Sequence, residues 1–184
     1  MSDVIKSIQF APASTIIRKA RGSDNWPITW GDDDNLYTAY GDGWGFEPKT
    51  NKKLSLGLAK IIGGPDDFWE INIRSATGEQ TGQGRKAKKA SGLLMVNCVL
   101  YVLVRNANHA GENSQLAWSN NHGETWTYSR WQFTKSFGCP TFLNFGNNYS
   151  HARDNYVYIY SNDDKDAYKV ADRMVLATVP QDKL

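Results

Sequence analysis

The stretch that decides the fold class is Ser119-Asn120-Asn121-His122-Gly123-Glu124-Thr125-Trp126. An Asn-rich start followed by glycine lets the backbone take a positive φ in a tight turn. Thr125 and Trp126 then suit the start of a strand, because β-branched and aromatic side chains pack well on a pleated, half-buried surface. The octapeptide therefore predicts a turn within a small all-β unit.

The rest of the chain extends this pattern into three units within one domain of 184 residues. The 16 Gly, 7 Trp and 9 Tyr are typical of many short strands joined by tight turns. Strand patterns recur at a spacing of roughly 40 to 60 residues, which indicates a supersecondary repeat. We predict units at about 24–75, 88–133 and 138–180, with strands near 26–30, 36–41, 54–62, 69–74, 91–96, 99–105, 115–119, 125–129, 141–145, 156–161 and 174–179.

The octapeptide resembles the Asp-box, Ser-x-Asp-x-Gly-x-Thr-Trp, with Asn121 in place of the Asp. This motif recurs between the outer strands of blades in sialidase-like β-propellers, where it is structural and remote from the active site. The resemblance implies an all-β propeller with about three four-stranded blades and a carbohydrate-directed function. Residues 23–30 and 37–43 also look like the opening blade of bacterial glycosidase-like propellers. The Phe-Arg-Ile-Pro motif of sialidases proper does not occur, which disfavours that activity.

Three blades do not close a ring, because propellers typically contain at least four. The third unit also has no outer strand pattern, while residues 4–20 precede the first unit and belong to none. We expect a half-propeller that forms a two-fold homodimer of six blades, with each N-terminal segment completing the partner's third blade. The alternatives are one half of a longer propeller or a truncated, inactive product.

Blade topology brings the residues before each first strand and after each second strand to one face. The polar and aromatic residues at these positions predict a glycan or oligosaccharide site. Hydrolysis needs two carboxyl groups, for which the candidates are Asp24, Asp42 and Asp163, with Asp24 preferred. Elimination from a uronic acid would use His109 or Tyr168 as base and Arg105 or Lys88 to neutralise the carboxylate. We assign catalysis to Asp24, Asp42, Asp163 and His109, and substrate binding to Arg105, Lys88, Trp44, Asn108 and Tyr168.

Simpler interpretations stay open for several of these residues. Asp24 or Asn25 could cap the turn before Pro27, and His109 could be a plain surface residue. A non-catalytic glycan-binding or scaffold module is the rival to an enzyme. The acidic run Asp32-Asp33-Asp34-Asn35 suits a hairpin turn better than a Ca²⁺ site, so no metal and no cofactor are predicted.

Charge and hydropathy disfavour other classes of partner. The net charge of +2 gives no support for nucleic acid binding, and the basic run at 85–89 suits a solvated loop. Residues 1–10 contain Asp3 and Lys6 and no apolar run, so neither a signal peptide nor a membrane partner is predicted, and we expect a soluble chain. Cys98 and Cys139 fall in different predicted elements, which favours reduced thiols.

Overall fold

The computed structural model describes residues 5–184 and forms three antiparallel sheets. The first sheet has the order β1-β2-β3-β4, the second β5-β6-β7-β8 and the third β11-β10-β9. The all-β prediction and the division into three successive antiparallel units are confirmed. The strands are β1 (Ile28–Trp30), β2 (Leu36–Tyr40), β3 (Gly57–Ile62), β4 (Trp69–Ile73), β5 (Lys89–Val96), β6 (Val99–Arg105), β7 (Ser114–Ser119), β8 (Thr127–Tyr128), β9 (Thr141–Phe142), β10 (Tyr156–Asn162) and β11 (Met174–Pro180).

Tight turns at predicted positions set the register of the strands. Asn97 and Cys98 join β5 to β6, and both have positive φ, at 51° and 60°. A two-residue hairpin loop needs this conformation, because it matches the twist of the flanking strands. The resulting register pairs Val96 with Val99 and, at the far end of the hairpin, Lys89 with Arg105.

The turn at Ser119–Trp126 is held by its own side chains. Ser119 Oγ accepts hydrogen bonds from the Gly123 and Asn121 amides at 2.8 and 3.3 Å. Asn121 Oδ1 accepts from Ser119 Oγ, the Thr125 amide and Thr125 Oγ1 at 2.9, 3.0 and 3.2 Å. Trp126 is 6% exposed and donates from Nε1 to the Gly123 carbonyl at 2.9 Å. The predicted turn between β7 and β8 is therefore present.

The second sheet lies between the other two. One of its faces packs on the first sheet in a core that includes Leu56, Leu58, Leu93 and Met95. Its other face packs on the third sheet in a core that includes Leu94, Leu103, Phe142, Val157 and Ile159. Successive residues of a strand point to opposite faces, so Leu93 and Leu94 serve different cores.

The first strands of the sheets lie beside one another, since β1 contacts β5 and β5 contacts β9. A polar bridge centred on the buried Thr29 of β1 supports this arrangement. Thr29 Oγ1 donates to Asn144 Oδ1 at 2.6 Å and accepts from the Met95 amide at 2.9 Å. Asn144 Nδ2 in turn donates to the Leu93 carbonyl at 3.1 Å. These bonds link β1 and β5 to the residue two positions after β9.

Residues 5–20 form no strand in the single chain and contain only a short 3₁₀ turn at Ala13–Thr15. Their expected role in a partner's third sheet stays a prediction, and residue 4 of that segment lies outside the described residues. Three more 3₁₀ turns occur at Gly84–Lys86, Asn147–Tyr149 and Gln181–Lys183. Within residues 5–184, no helix has both the length and the apolar character needed to cross a membrane.

Candidate functional site

An ion pair joins the first and second sheets at the site. Asp42 follows β2 with a φ of 47°, and Lys89 begins β5. The Lys89 Nζ contacts Asp42 Oδ2, with the lysine side chain only 6% exposed and the aspartate 29% exposed. Asp42 Oδ1 is also shielded from solvent and has no hydrogen-bond partner within residues 5–184. The pair therefore leaves one buried carboxylate oxygen of Asp42 without a hydrogen-bond partner in the described chain.

Asp24 lies next to this ion pair, because its backbone forms a β-bridge with Gly41, the residue before Asp42. The Asp24 amide donates to the Gly41 carbonyl at 2.9 Å, and the Gly41 amide donates back at 2.7 Å. A Cβ on Gly41 would lie 3.4 Å from Asp24 Oδ1, so the carboxylate covers that glycine. The Asp24 side chain is exposed and makes no hydrogen bond or ion pair within residues 5–184, so it caps no turn there. Asn25, the alternative cap, donates to the Ala90 carbonyl at 2.5 Å.

Arg105 continues the site on the second sheet, where it ends β6 opposite Lys89. Its guanidinium lies 5.2 Å from the centroid of the Tyr168 ring, a cation–π distance. Within residues 5–184, Arg105 has no carboxylate within ion-pair distance. This half-buried cation is therefore not neutralised by the described part of the protein.

Tyr168 comes from the loop after β10 and is held in place by the second sheet. Its hydroxyl accepts a hydrogen bond from Nδ2 of the fully buried Asn106 at 2.9 Å. Arg85 lies 4.9 Å from the ring centroid and pairs with Asp166 at 2.6 Å. The Oδ1 of Asn106 is buried and has no partner within the described chain. Tyr168 remains 42% exposed, although the guanidinium groups of Arg85 and Arg105 both lie over its ring.

Cys139 precedes β9 at the same end of the sheets. Burial raises the pKa of its thiol, and the charge of Arg105 partly opposes that increase. A thiol with a raised pKa is a poor nucleophile at neutral pH. The raised pKa of Cys139 therefore disfavours a nucleophilic role for its thiol.

The structure thus brings together four predicted site residues from separate parts of the sequence: Asp24, Asp42, Arg105 and Tyr168. We call these four residues with Lys89 the axial surface. Their roles stay predictions. Lys89, Asn106, Arg85 and Asp166 complete the arrangement but are not among the assigned residues. The basic run containing Arg85 suggested a solvated loop, and no pattern in a single sequence shows which of its charges meets Asp166.

The other assigned residues have contacts elsewhere. Asp163 accepts from Ser136 Oγ at 3.0 Å and pairs with Arg173 at 3.0 Å. Lys88 lies 5.2 Å from the ring centroid of Tyr128 on the outer strand β8, and burial lowers its pKa. These partners of Lys88 and Asp163 all lie outside the axial surface. Lys88 precedes β5, whereas Lys89 begins that strand and pairs with Asp42.

His109, Asn108 and Trp44 occupy loops near the ends of the strands. His109 is exposed, and its Nδ1 lies 3.0 Å from the Lys86 carbonyl oxygen. Asn108 Oδ1 accepts from the Ala110 and Glu112 amides at 2.9 and 3.2 Å, so it shapes its own loop. Trp44 follows Asp42 by two residues and is 36% exposed, which leaves its ring accessible.

A second polar cluster lies at the opposite end of β1 and β2, where the acidic run forms the predicted turn. Asp32, Asp33 and His122 place three ligand atoms within 4.8 Å of one another. Asp32 accepts from His122 Nε2 at 2.7 Å, and Asp33 binds Lys60 and the Tyr37 hydroxyl at 2.6 and 2.7 Å. Burial alone would raise the pKa of Asp33, but these hydrogen bonds hold it well below its usual value. The protein therefore already satisfies the ligand atoms of this cluster.

A cleft of about 610 Å³ lies beside that acidic turn, lined by residues that include Trp30, Asp33, Leu36, Gly63 and Pro65. It is remote in sequence and topology from the axial surface, which lies at the other end of β2. The polar groups that converge from several sheets lie at the axial surface and not in this cleft. We therefore place the candidate site at the axial surface, where these polar groups converge.

No family model matches the chain, and no curated protein matches it.

Proposed function

We propose that the axial surface binds an acidic glycan. The observation that supports this most directly is the unneutralised Arg105 cation beside an exposed aromatic ring. The Asp42–Lys89 and Arg85–Asp166 pairs are each neutral overall, so Arg105 is the cation at this surface that has no carboxylate partner and can bind an anionic group. A planar guanidinium is well suited to bidentate recognition of a carboxylate.

Two further features suit a sugar ligand. Trp44, two residues after Asp42 and 36% exposed, offers an aromatic ring for a sugar ring to stack on. The exposed Asp24 carboxylate is an acceptor without a side-chain partner within residues 5–184, and sugar hydroxyls are donors. Acceptors for hydroxyls together with a cation for a carboxylate match the chemistry of a uronic or similar acidic sugar.

The proposal takes the three sheets as successive blades of an incomplete, sialidase-like β-propeller, with the Ser119–Trp126 turn as an Asp-box. Contact between the first strands of neighbouring sheets supports this view, since the inner strands of propeller blades surround a common axis. The side-chain hydrogen bonds of that turn also support it. On this view, the axial surface is one side of a larger cavity.

Catalysis is the second candidate function, and Asp24 is the residue that favours it. Its carboxylate is exposed, lies beside Asp42 and has no partner within residues 5–184. A free carboxylate next to a sugar site is suited to general acid or base work in hydrolysis or elimination. The other two candidate carboxylates are both engaged, Asp42 by Lys89 and Asp163 by Arg173.

Calorimetric titration with oligogalacturonate and with a neutral oligosaccharide of equal length tests the binding proposal. We expect the acidic ligand to bind, and Arg105→Met to weaken that binding at least about 10-fold through loss of a charge-assisted contact. Arg130→Met, at an exposed position outside the axial surface, is the matched control and should leave affinity unchanged. Equal affinity for both oligosaccharides, or equal effects of both substitutions, would contradict an acidic-glycan site.

Turnover is measured separately as release of reducing ends and as formation of an unsaturated product. If Asp24 is catalytic, Asp24→Asn abolishes turnover and preserves binding. Turnover that persists in Asp24→Asn would remove Asp24 from the mechanism, and binding without turnover in the parent chain would identify a binding module.

A further inference from the structure

The third sheet ends in a long edge without a partner strand. Within residues 5–184, β11 pairs with β10 alone, and we call its other side the open edge. β11 is seven residues long and carries no charged side chain. By contrast, the outer strand of the first sheet contains Glu70, and that of the second sheet, β8, is two residues long. Charges and short edge strands prevent pairing with other chains, and β11 has neither protection.

The hydrogen bonds of β11 show which of its backbone groups face the open edge. Just beyond the two ends of β11, the Arg173 carbonyl and the Gln181 amide bond to residues flanking β10, at 3.1 and 3.0 Å. Alternate pairs of an antiparallel ladder are hydrogen-bonded, so the odd-numbered residues of β11 bond to β10. The backbone groups of even-numbered residues, among them Leu176 and Thr178, therefore point to the open edge.

An apolar cleft of about 270 Å³ lies beside β11, between the third and second sheets. The third sheet contributes Ala177 and Val179, which pack toward the core shared with the second sheet. The second sheet contributes Leu103 and Leu116, and the 51% exposed Trp131 also lines the cleft. A strand bonded to the open edge would extend the third sheet over this cleft. Alternate side chains of that strand would point into it.

The N-terminal segment has the pattern of such a strand. Residues 7–11 are exposed and belong to no sheet of the described chain. Ile8 and Phe10 are 73% and 87% exposed, and Gln9 lies between them. An extended conformation puts the two apolar side chains on one face and Gln9 on the other. Pro12 then ends the strand, because it has no amide to donate to a ladder.

We propose that residues 7–11 of a second copy of the chain pair with β11 and place Ile8 and Phe10 in the apolar cleft. Lys19, at the other end of the segment, pairs with Glu70 of β4 at 3.0 Å, so the segment starts from the first sheet. The second sheet separates the first sheet from the third, so this starting point and β11 of the same chain lie on opposite sides of it. Mutual exchange of the two segments gives a closed, two-fold dimer.

The contact would be β-strand addition. In this mode, backbone hydrogen bonds provide affinity, and pockets for alternate side chains provide specificity. The open edge supplies the backbone groups, and the apolar cleft supplies the pocket. The proposal therefore predicts separate effects for changes in the segment and changes in the edge.

Sedimentation equilibrium and amide hydrogen exchange test the segment. We expect the parent chain to sediment at micromolar concentration with twice the mass of one chain, and its Leu176 and Thr178 amides to be protected from exchange. Phe10→Lys should weaken association at least about 100-fold, because it buries a charge without a partner. Gln9→Lys is the matched control at the adjacent position on the opposite face, and it should leave association unchanged.

Thr178→Pro tests the edge. Proline removes the amide that the added strand needs, and the sheet tolerates it there because that amide makes no bond to β10. We expect this variant to keep its far-ultraviolet circular dichroism and to associate at least about 10-fold more weakly. A monomeric parent chain, a dimer whose Leu176 and Thr178 amides exchange freely, or equal loss of association in the Phe10 and Gln9 variants would each overturn the proposal.

Discussion

Lys89 and Asp42 form a largely buried ion pair. The pair connects β5 of the second sheet to the segment that follows β2 of the first sheet. Breaking one partner leaves an unpaired charge in a partly desolvated position. We expect Asp42→Asn to lower the free energy of unfolding by about 3 kcal/mol, measured by urea denaturation. The double variant Asp42→Asn with Lys89→Met should recover much of that loss, because the apolar side chain removes the buried charge. Equal stability of the single and double variants would contradict this explanation.

Thr29 links the sheets, because its hydroxyl donates to Asn144 Oδ1 and accepts from the Met95 amide. Thr29→Val keeps the shape of the side chain but leaves the Met95 amide without its acceptor and Asn144 Oδ1 without its donor. We expect a loss of about 2 kcal/mol in the free energy of unfolding. Thr178→Val, at an exposed position on β11, is the control and should stay within about 0.5 kcal/mol. A similar loss in both variants would show that the bridge contributes nothing specific.

Asn121 accepts three hydrogen bonds through one oxygen, which a carboxylate would accept more strongly. Asn121→Asp should therefore stabilise the protein by about 0.5 to 1 kcal/mol at neutral pH. The hydrogen bonds hold the folded carboxyl pKa below its unfolded value, so the gain disappears as pH falls through the carboxyl range. Asn121→Ala should cost about 1 to 2 kcal/mol. Chemical denaturation at neutral and acidic pH measures both, and a destabilising Asn121→Asp would contradict the role assigned to Oδ1.

The Asp33–Lys60 pair makes stability depend on pH in a defined direction. The folded pKa of Asp33 is held below its ordinary value of 3.8, so its contribution is present above that pH and is lost as pH falls further. Lys60→Met should cost about 1 kcal/mol at neutral pH, since both side chains are partly exposed. Its effect should shrink in acid. Lys49→Met, at a more exposed pair with Glu47, should have almost no effect on thermal unfolding at either pH.

Much of the fold follows from local patterns in the sequence. Alternating side chains indicated the positions of the strands, and short turns rich in Asn and Asp indicated the hairpins, because strand faces and tight turns depend on neighbouring residues. The pattern at 156–161 became β10, and the octapeptide became the turn after β7. The extent of the short strands was less accurate: 141–145 was expected, whereas β9 is Thr141–Phe142.

The site was predictable only in part. Asp42 and Arg105 were identified from their positions at strand ends, where loops meet. The partners of the predicted carboxylates depended on side-chain geometry that the sequence does not show. Lys89 and not Lys88 pairs with Asp42, and Asp163 pairs with Arg173. One residue of shift along a strand reverses the face a side chain occupies, which is why adjacent lysines have different roles.

The sequence by itself determined an all-β chain of three antiparallel units and the tight turns within them, because these features arise from backbone conformation and side-chain alternation over a few residues. Only the tertiary structure decided that Asp24, Asp42, Arg105 and Tyr168 share one surface, and that Lys89 pairs with Asp42. Such relationships depend on how sheets distant in sequence pack, and packing is fixed by the combined shape and burial of many side chains.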